Sequence, residues 1–108
     1  MTLRLNAAFA AVLAFNSAGP VAAQNDWQTQ KCGLYERAWT RALESLGSDD
    51  INYNFLATNE NFIASGCTEN IKACPTSIQE IQIADLLTMV MMNEGTASTF
   101  LPFGCPKD

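Results

Sequence analysis

The sequence contains no histidine. That removes the side chain most used for acid–base chemistry near neutral pH and the commonest metal ligand. There is no Gly-x-Ser-x-Gly turn to present a serine nucleophile, and no Cys-x-x-Cys pair at zinc-ligand spacing. Positive charge is scarce, with six Lys and Arg against eleven Asp and Glu. No basic stripe exists to neutralise phosphates, so neither nucleic acid nor an anionic membrane surface is expected as a partner. Internal repeats, low-complexity tracts and interdomain linkers are also missing. No catalytic residue, cofactor site or metal site is expected.

What is present begins with an export signal. Arg4 supplies a short positive region, Leu5 to Phe15 is apolar apart from Asn6, and residues 16–20 break the run. Val21-Ala22-Ala23 places small residues where a signal peptidase reads them, so residues 1–23 are predicted to be a bacterial-type signal peptide cleaved before Gln24. The run is too short for the roughly 20 residues that span a bilayer. Residues 24–108 are then a single small domain, periplasmic or secreted, without membrane contact after cleavage. Losing Arg4 leaves five basic residues against eleven acidic ones, a net charge of -6. An acidic surface keeps an exported protein soluble and leaves a basic protein partner possible.

A domain of this length buries a small fraction of its surface and calls for reinforcement. Cys32, Cys67, Cys74 and Cys105 all lie beyond the leader, and an even count in a short exported chain implies two disulfides. The helices indicate the pairing. A first helix is predicted from near Asp26 to Leu46, with Asp26 or Thr29 as cap after a loose lead-in, burying Tyr35, Ala38, Trp39, Ala42 and Leu46 with Cys32 at the stripe's edge. A second runs from about Asn54 to Ser65, burying Phe55, Leu56, Phe62 and Ile63, and stops at Gly66. Antiparallel packing brings Cys67 to Cys32, which leaves Cys74 for Cys105. Each bridge closes a loop of about 30 to 35 residues and stabilises by roughly 3 to 4 kcal/mol.

The third helix is the central one. Ser77 and Glu80 form a capping box, and Gly95 is the stop. Ile83, Leu86, Leu87, Val90 and Met91 make one face at helical spacing, while Ile78, Ile81, Met89 and Met92 fall on the other. A helix apolar on both sides is expected to be wrapped by its neighbours. Between the helices, residues 47–54 read as a turn anchored by Ile51 and Tyr53, and residues 68–73 as one further helical turn before Cys74-Pro75. The tail predicts a short helix from Ala97 to Leu101, with Phe100, Leu101 and Phe103 plugging the core. The fold class is therefore all-α: a small disulfide-stabilised bundle of three main helices plus a short C-terminal turn or helix.

Three features invite a chemical reading and receive a plainer one. Asp85 would have a raised pKa if buried, but Gln82, Asp85 and Thr88 form a narrow polar strip that reaches water. Met89, Met91 and Met92 offer thioethers, which suit copper(I). Met91 points about 100 degrees from Met92 and further from Met89, so one helix cannot converge all three on an ion; core gap-filling is the expectation. Asp49-Asp50 belongs to a turn, since the loop lacks alternating oxygen ligands for calcium.

In size, helicity and a cysteine near its first helix the chain resembles periplasmic acid-stress chaperones, which have one disulfide and more basic residues. Cys74-Pro75 before an amphipathic helix, with Phe103-Gly-Cys105 at the end, resembles the four-cysteine immunity proteins of type VI secretion, whose cysteine spacing differs. Neither likeness covers enough of the chain to assign a family. The expected role is non-catalytic binding of another protein, as an inhibitor, immunity factor or envelope accessory subunit does. The alternative is an acid-stress chaperone, because protonating eleven carboxylates takes the formal charge from -6 towards +5.

Overall fold

The computed structural model describes residues 19–107, with side chains from Asp26 onward. Three α-helices and one 3-10 turn account for its regular structure: α1 at Gly19–Leu46, α2 at Tyr53–Ala64, α3 at Ile78–Asn93 and the turn at Ser98–Phe100. Most of the predicted leader lies outside the described residues. The chain is helical from Gly19 without a break across Ala23 and Gln24, which corrects the loose lead-in and the caps expected at Asp26 or Thr29. The physical reason is local: between Pro20 and Gly33 no proline or glycine interrupts the backbone ladder.

Helix α1 turns Tyr35, Trp39 and Ala42 into the core, with Ala38 and Leu46 half-buried at the margins. It packs against both α3 and α2. Asn52 caps α2 by accepting from the Phe55 amide at 2.7 Å. At the far end Gly66 N–H donates to the Ile63 carbonyl and Cys67 N–H to the Phe62 carbonyl, both at 2.9 Å. These two bonds make a Schellman closure, in which the left-handed residue belongs at Gly66 with φ of 76°. Cys67 follows with φ of 61°, a conformation that costs an L-residue about 1–2 kcal/mol. The closure fixes Cys67 beside α1, where it bonds Cys32 with Cα atoms 5.4 Å apart. Cys74 bonds Cys105 at 4.6 Å, so both pairs join as the helix geometry implies.

Two connections differ from expectation. Tyr53 is 82% exposed and anchors nothing, whereas Ile51 is half-buried as predicted. Residues 68–73 form no helical turn. Their backbone instead meets the tail, with Ala73 N–H donating to the Pro102 carbonyl at 2.7 Å and Gly104 N–H to the Ala73 carbonyl at 3.1 Å. That short parallel bridge pins the tail and presses its aromatics inward. Phe100 lies 5.6 Å from Phe62 and 6.2 Å from Tyr35, and Phe103 stacks on Phe55 at 6.1 Å. The predicted plug is present. No described helix is long and apolar enough to cross a membrane.

Candidate functional site

The start of α3 is a polar knot that fixes the rotation of that helix. Ser77 accepts from Glu80 N–H at 3.0 Å and donates to the Asp50 carbonyl at 2.8 Å. Gln79 donates to the Leu46 carbonyl at 2.6 Å and accepts from Asp50 N–H at 2.7 Å, closing the end of α1. Glu80 is fully buried. One of its oxygens accepts from Thr76 N–H at 2.9 Å, the Thr76 hydroxyl at 3.1 Å and Ser77 N–H at 3.2 Å. The other accepts from Asn52 N–H, 28 residues away in the chain, at 2.8 Å. Burial alone would raise the Glu80 pKa, but the hydrogen bonds from Thr76, Asn52 and Ser77 outweigh it and hold the carboxyl below its ordinary value.

With Glu80 locked inward, the faces of α3 are set. Ile83, Ala84, Leu87 and Met91 are buried against α1 and the core. Opposite them, Ile78 is 77% exposed, Met89 63% and Met92 50%, with Ile81 and Leu86 also open. The expectation of a wrapped central helix is thus corrected, since one side of α3 is bare. Met91 fills the core as expected, but Met89 and Met92 do not. Asp85 is exposed, as its polar strip implied, and lies in the middle of this apolar face. Thr88 turns its hydroxyl onto the Ala84 carbonyl at 2.7 Å. Asp49 and Asp50 sit in the turn before α2. Among the described residues, no three His, Cys, Asp or Glu side chains cluster to hold a metal ion.

Two grooves flank α1. One, of about 250 Å³, lies between α1 and α3 and is lined by Leu34, Arg37, Arg41, Leu86, Val90 and Glu94. The other, of about 590 Å³, lies between α1 and α2, where Trp39, Leu43 and Ile63 meet Glu36, Glu44 and Glu60. A buried polar pair beneath the second groove orients α2: the Tyr35 hydroxyl donates to Asn59 at 2.6 Å, and Asn59 donates to the Phe55 carbonyl at 2.9 Å. Burial pushes the Tyr35 hydroxyl pKa upward, so the group stays a donor. Asn59 went unread in the sequence, although its place between Phe55 and Phe62 puts it on the buried stripe. The bare face had a signal too, in the spacing of Ile78, Ile81, Asp85, Met89 and Met92. Comparison with known proteins returns no matching family model, no matching curated protein and no matching solved structure.

Proposed function

We propose that this chain is an exported protein that acts by binding another protein rather than by catalysis, with the outer face of α3 as its docking surface. The observation that carries the reading is the distribution of exposed apolar side chains. Among the described residues seven large ones are exposed, five of them on α3, where Ile78, Ile81, Met89 and Met92 share the outer face. Scattered apolar residues are ordinary on a surface, whereas a contiguous patch rimmed by polar groups marks an interaction site. Here Gln82, Asp85 and Asn93 supply the polar groups. Export to the periplasm or beyond is supported by the leader pattern and by two disulfides, which persist in oxidising compartments.

The test is co-purification from the cell envelope and medium with oxidised, tagged mature protein as bait. Wild type is compared with Ile81→Asp and Met89→Asp on the outer face, and with Asn61→Asp on exposed α2 surface. A specific partner is expected on wild type and Asn61→Asp, falling by about tenfold or more on both outer-face variants, because a charge buried in an apolar contact is strongly disfavoured. The same proteins recovered by all four baits would refute the docking face.

Glu80 favours a second reading, a chaperone that opens in acid. Its hydrogen bonds join the start of α3 to the loop before α2 through one carboxylate, and protonation removes the charge they serve. In the same experiment that reading predicts many unrelated proteins on the wild-type bait at pH 3 and none at neutral pH.

A further inference from the structure

Resting on the reading that the outer face of α3 docks a partner, the chemistry of the partner can be taken further. Ile78, Ile81, Asp85, Met89 and Met92 are separated by three, four, four and three residues. That is the spacing of the seam between two packed helices, where each side chain enters a gap on the facing helix. Four of the five positions are apolar, and the central one is a carboxylate. A partner covering the seam takes Asp85 out of water, which disfavours the ionised form unless a cation meets it.

Among the described residues no cation is in place to meet Asp85. Arg37 and Arg41 line the groove beside Leu86, Val90 and Glu94. Leu86 lies about 100 degrees round the helix from Asp85, and Val90 and Glu94 further still. Asp85 has no hydrogen-bond or ion-pair partner among the described residues. A second copy of the chain does not supply the cation on its seam either. In an antiparallel pair centred on the seam, Asp85 faces Asp85; in a shifted register, two carboxylates press on isoleucine or methionine. The net charge of -6 that remains without Arg4 further opposes self-association.

We infer that the occupant is an amphipathic helix of a different protein, about four turns long to match the 16 residues of α3, with a Lys or Arg at the centre of its apolar face paired with Asp85. The test uses three fluorescein-labelled helical peptides with the same leucine seam and Lys, Leu or Glu at the central position. Binding to the oxidised mature protein is read by anisotropy. The Lys peptide should bind wild type at least about tenfold more tightly than the Glu peptide, because like charges across an interface are strongly disfavoured. Asp85→Lys should invert that order, and Asp85→Asn should level it; circular dichroism checks that both variants stay folded.

Equal binding of all three peptides, abolished by Met89→Asp, would overturn the cation while keeping the docking face. No peptide binding, together with co-purification indifferent to Met89→Asp, would remove both. Sedimentation of wild type as a dimer and of Met89→Asp as a monomer would assign the face to a second copy and overturn the inference.

Discussion

Glu80→Ala is expected to destabilise the fold by about 3 kcal/mol or more, because hydrogen bonds to a charged group contribute roughly 1.5–3 kcal/mol and the donors left behind are poorly placed to find water. Three of the four donors are backbone N–H groups, of Thr76, Ser77 and Asn52, and cannot rotate away. An ordinary helix cap is a smaller matter, typically about 1 kcal/mol. Glu80→Gln should fall between, since its amide keeps one acceptor but turns an NH₂ toward donors. The pH dependence follows from the lowered pKa. Glu80 stabilises fully above its unfolded value near about 4.3, and the contribution fades as pH falls through the lower folded value. Urea unfolding followed by circular dichroism at pH 7 and pH 3, disulfides intact, measures both effects. The gap between wild type and Glu80→Gln should narrow in acid. A cost below about 1 kcal/mol for Glu80→Ala at pH 7 would show that the knot does not hold α3 in place.

Removing the Cys32–Cys67 bridge is expected to be the other large loss. The two bridges span 35 and 31 residues, so loop closure alone assigns each about 4 kcal/mol and does not separate them. Burial does. Cys67 is 5% exposed within the core, whereas Cys105 is exposed. Truncating Cys67 therefore opens space in the packing at an additional cost of about 1 kcal/mol. It also loosens the α2 end, where the left-handed Cys67 is then held to its helix by the two-bond closure and to α1 by the Gln28 side-chain amide, which donates to the Gly66 and Cys67 carbonyls. The Cys74–Cys105 segment keeps its bridge to Ala73 when the disulfide is gone. Cys32→Ala/Cys67→Ala should accordingly unfold at lower denaturant than Cys74→Ala/Cys105→Ala, or fail to fold at 37 °C. The reverse order would mean that the tail, and not the α1–α2 contact, is the weaker part of the structure.

What could be read from the chain was chiefly local. The Ser77–Glu80 capping box is confirmed in both its hydrogen bonds, and Gly95 closes α3 with φ of 96°. The disulfide pairing was within reach because helix lengths bring Cys67 back to Cys32. The second oxygen of Glu80 was not, since its partner Asn52 is distant in sequence and comes near only once α1 and α3 pack. The stretch at 68–73 has turn formers that allow a helical turn, and only the tail's arrival at Ala73 decides against one. The bare face of α3 was hidden by a different cause. Apolar residues on both sides of a helix argue for burial on both sides, but this chain folds α1 and α2 without covering the outer one. A small domain buries a low fraction of its surface, and here the apolar outer face of α3 stays exposed.

Methionine oxidation tests the claim on which the functional reading stands, that α3 keeps one face in the core and offers the other. The oxidised-disulfide mature protein is treated with dilute hydrogen peroxide, and sulfoxide formation at Met89, Met91 and Met92 is followed by site-resolved mass spectrometry. Met89 and Met92, 63% and 50% exposed, should react at close to the rate of the unfolded chain, and fully buried Met91 at least about tenfold more slowly. Met89 and Met92 protected as well as Met91, or all three reacting alike, would contradict the orientation of α3 and the docking face built on it.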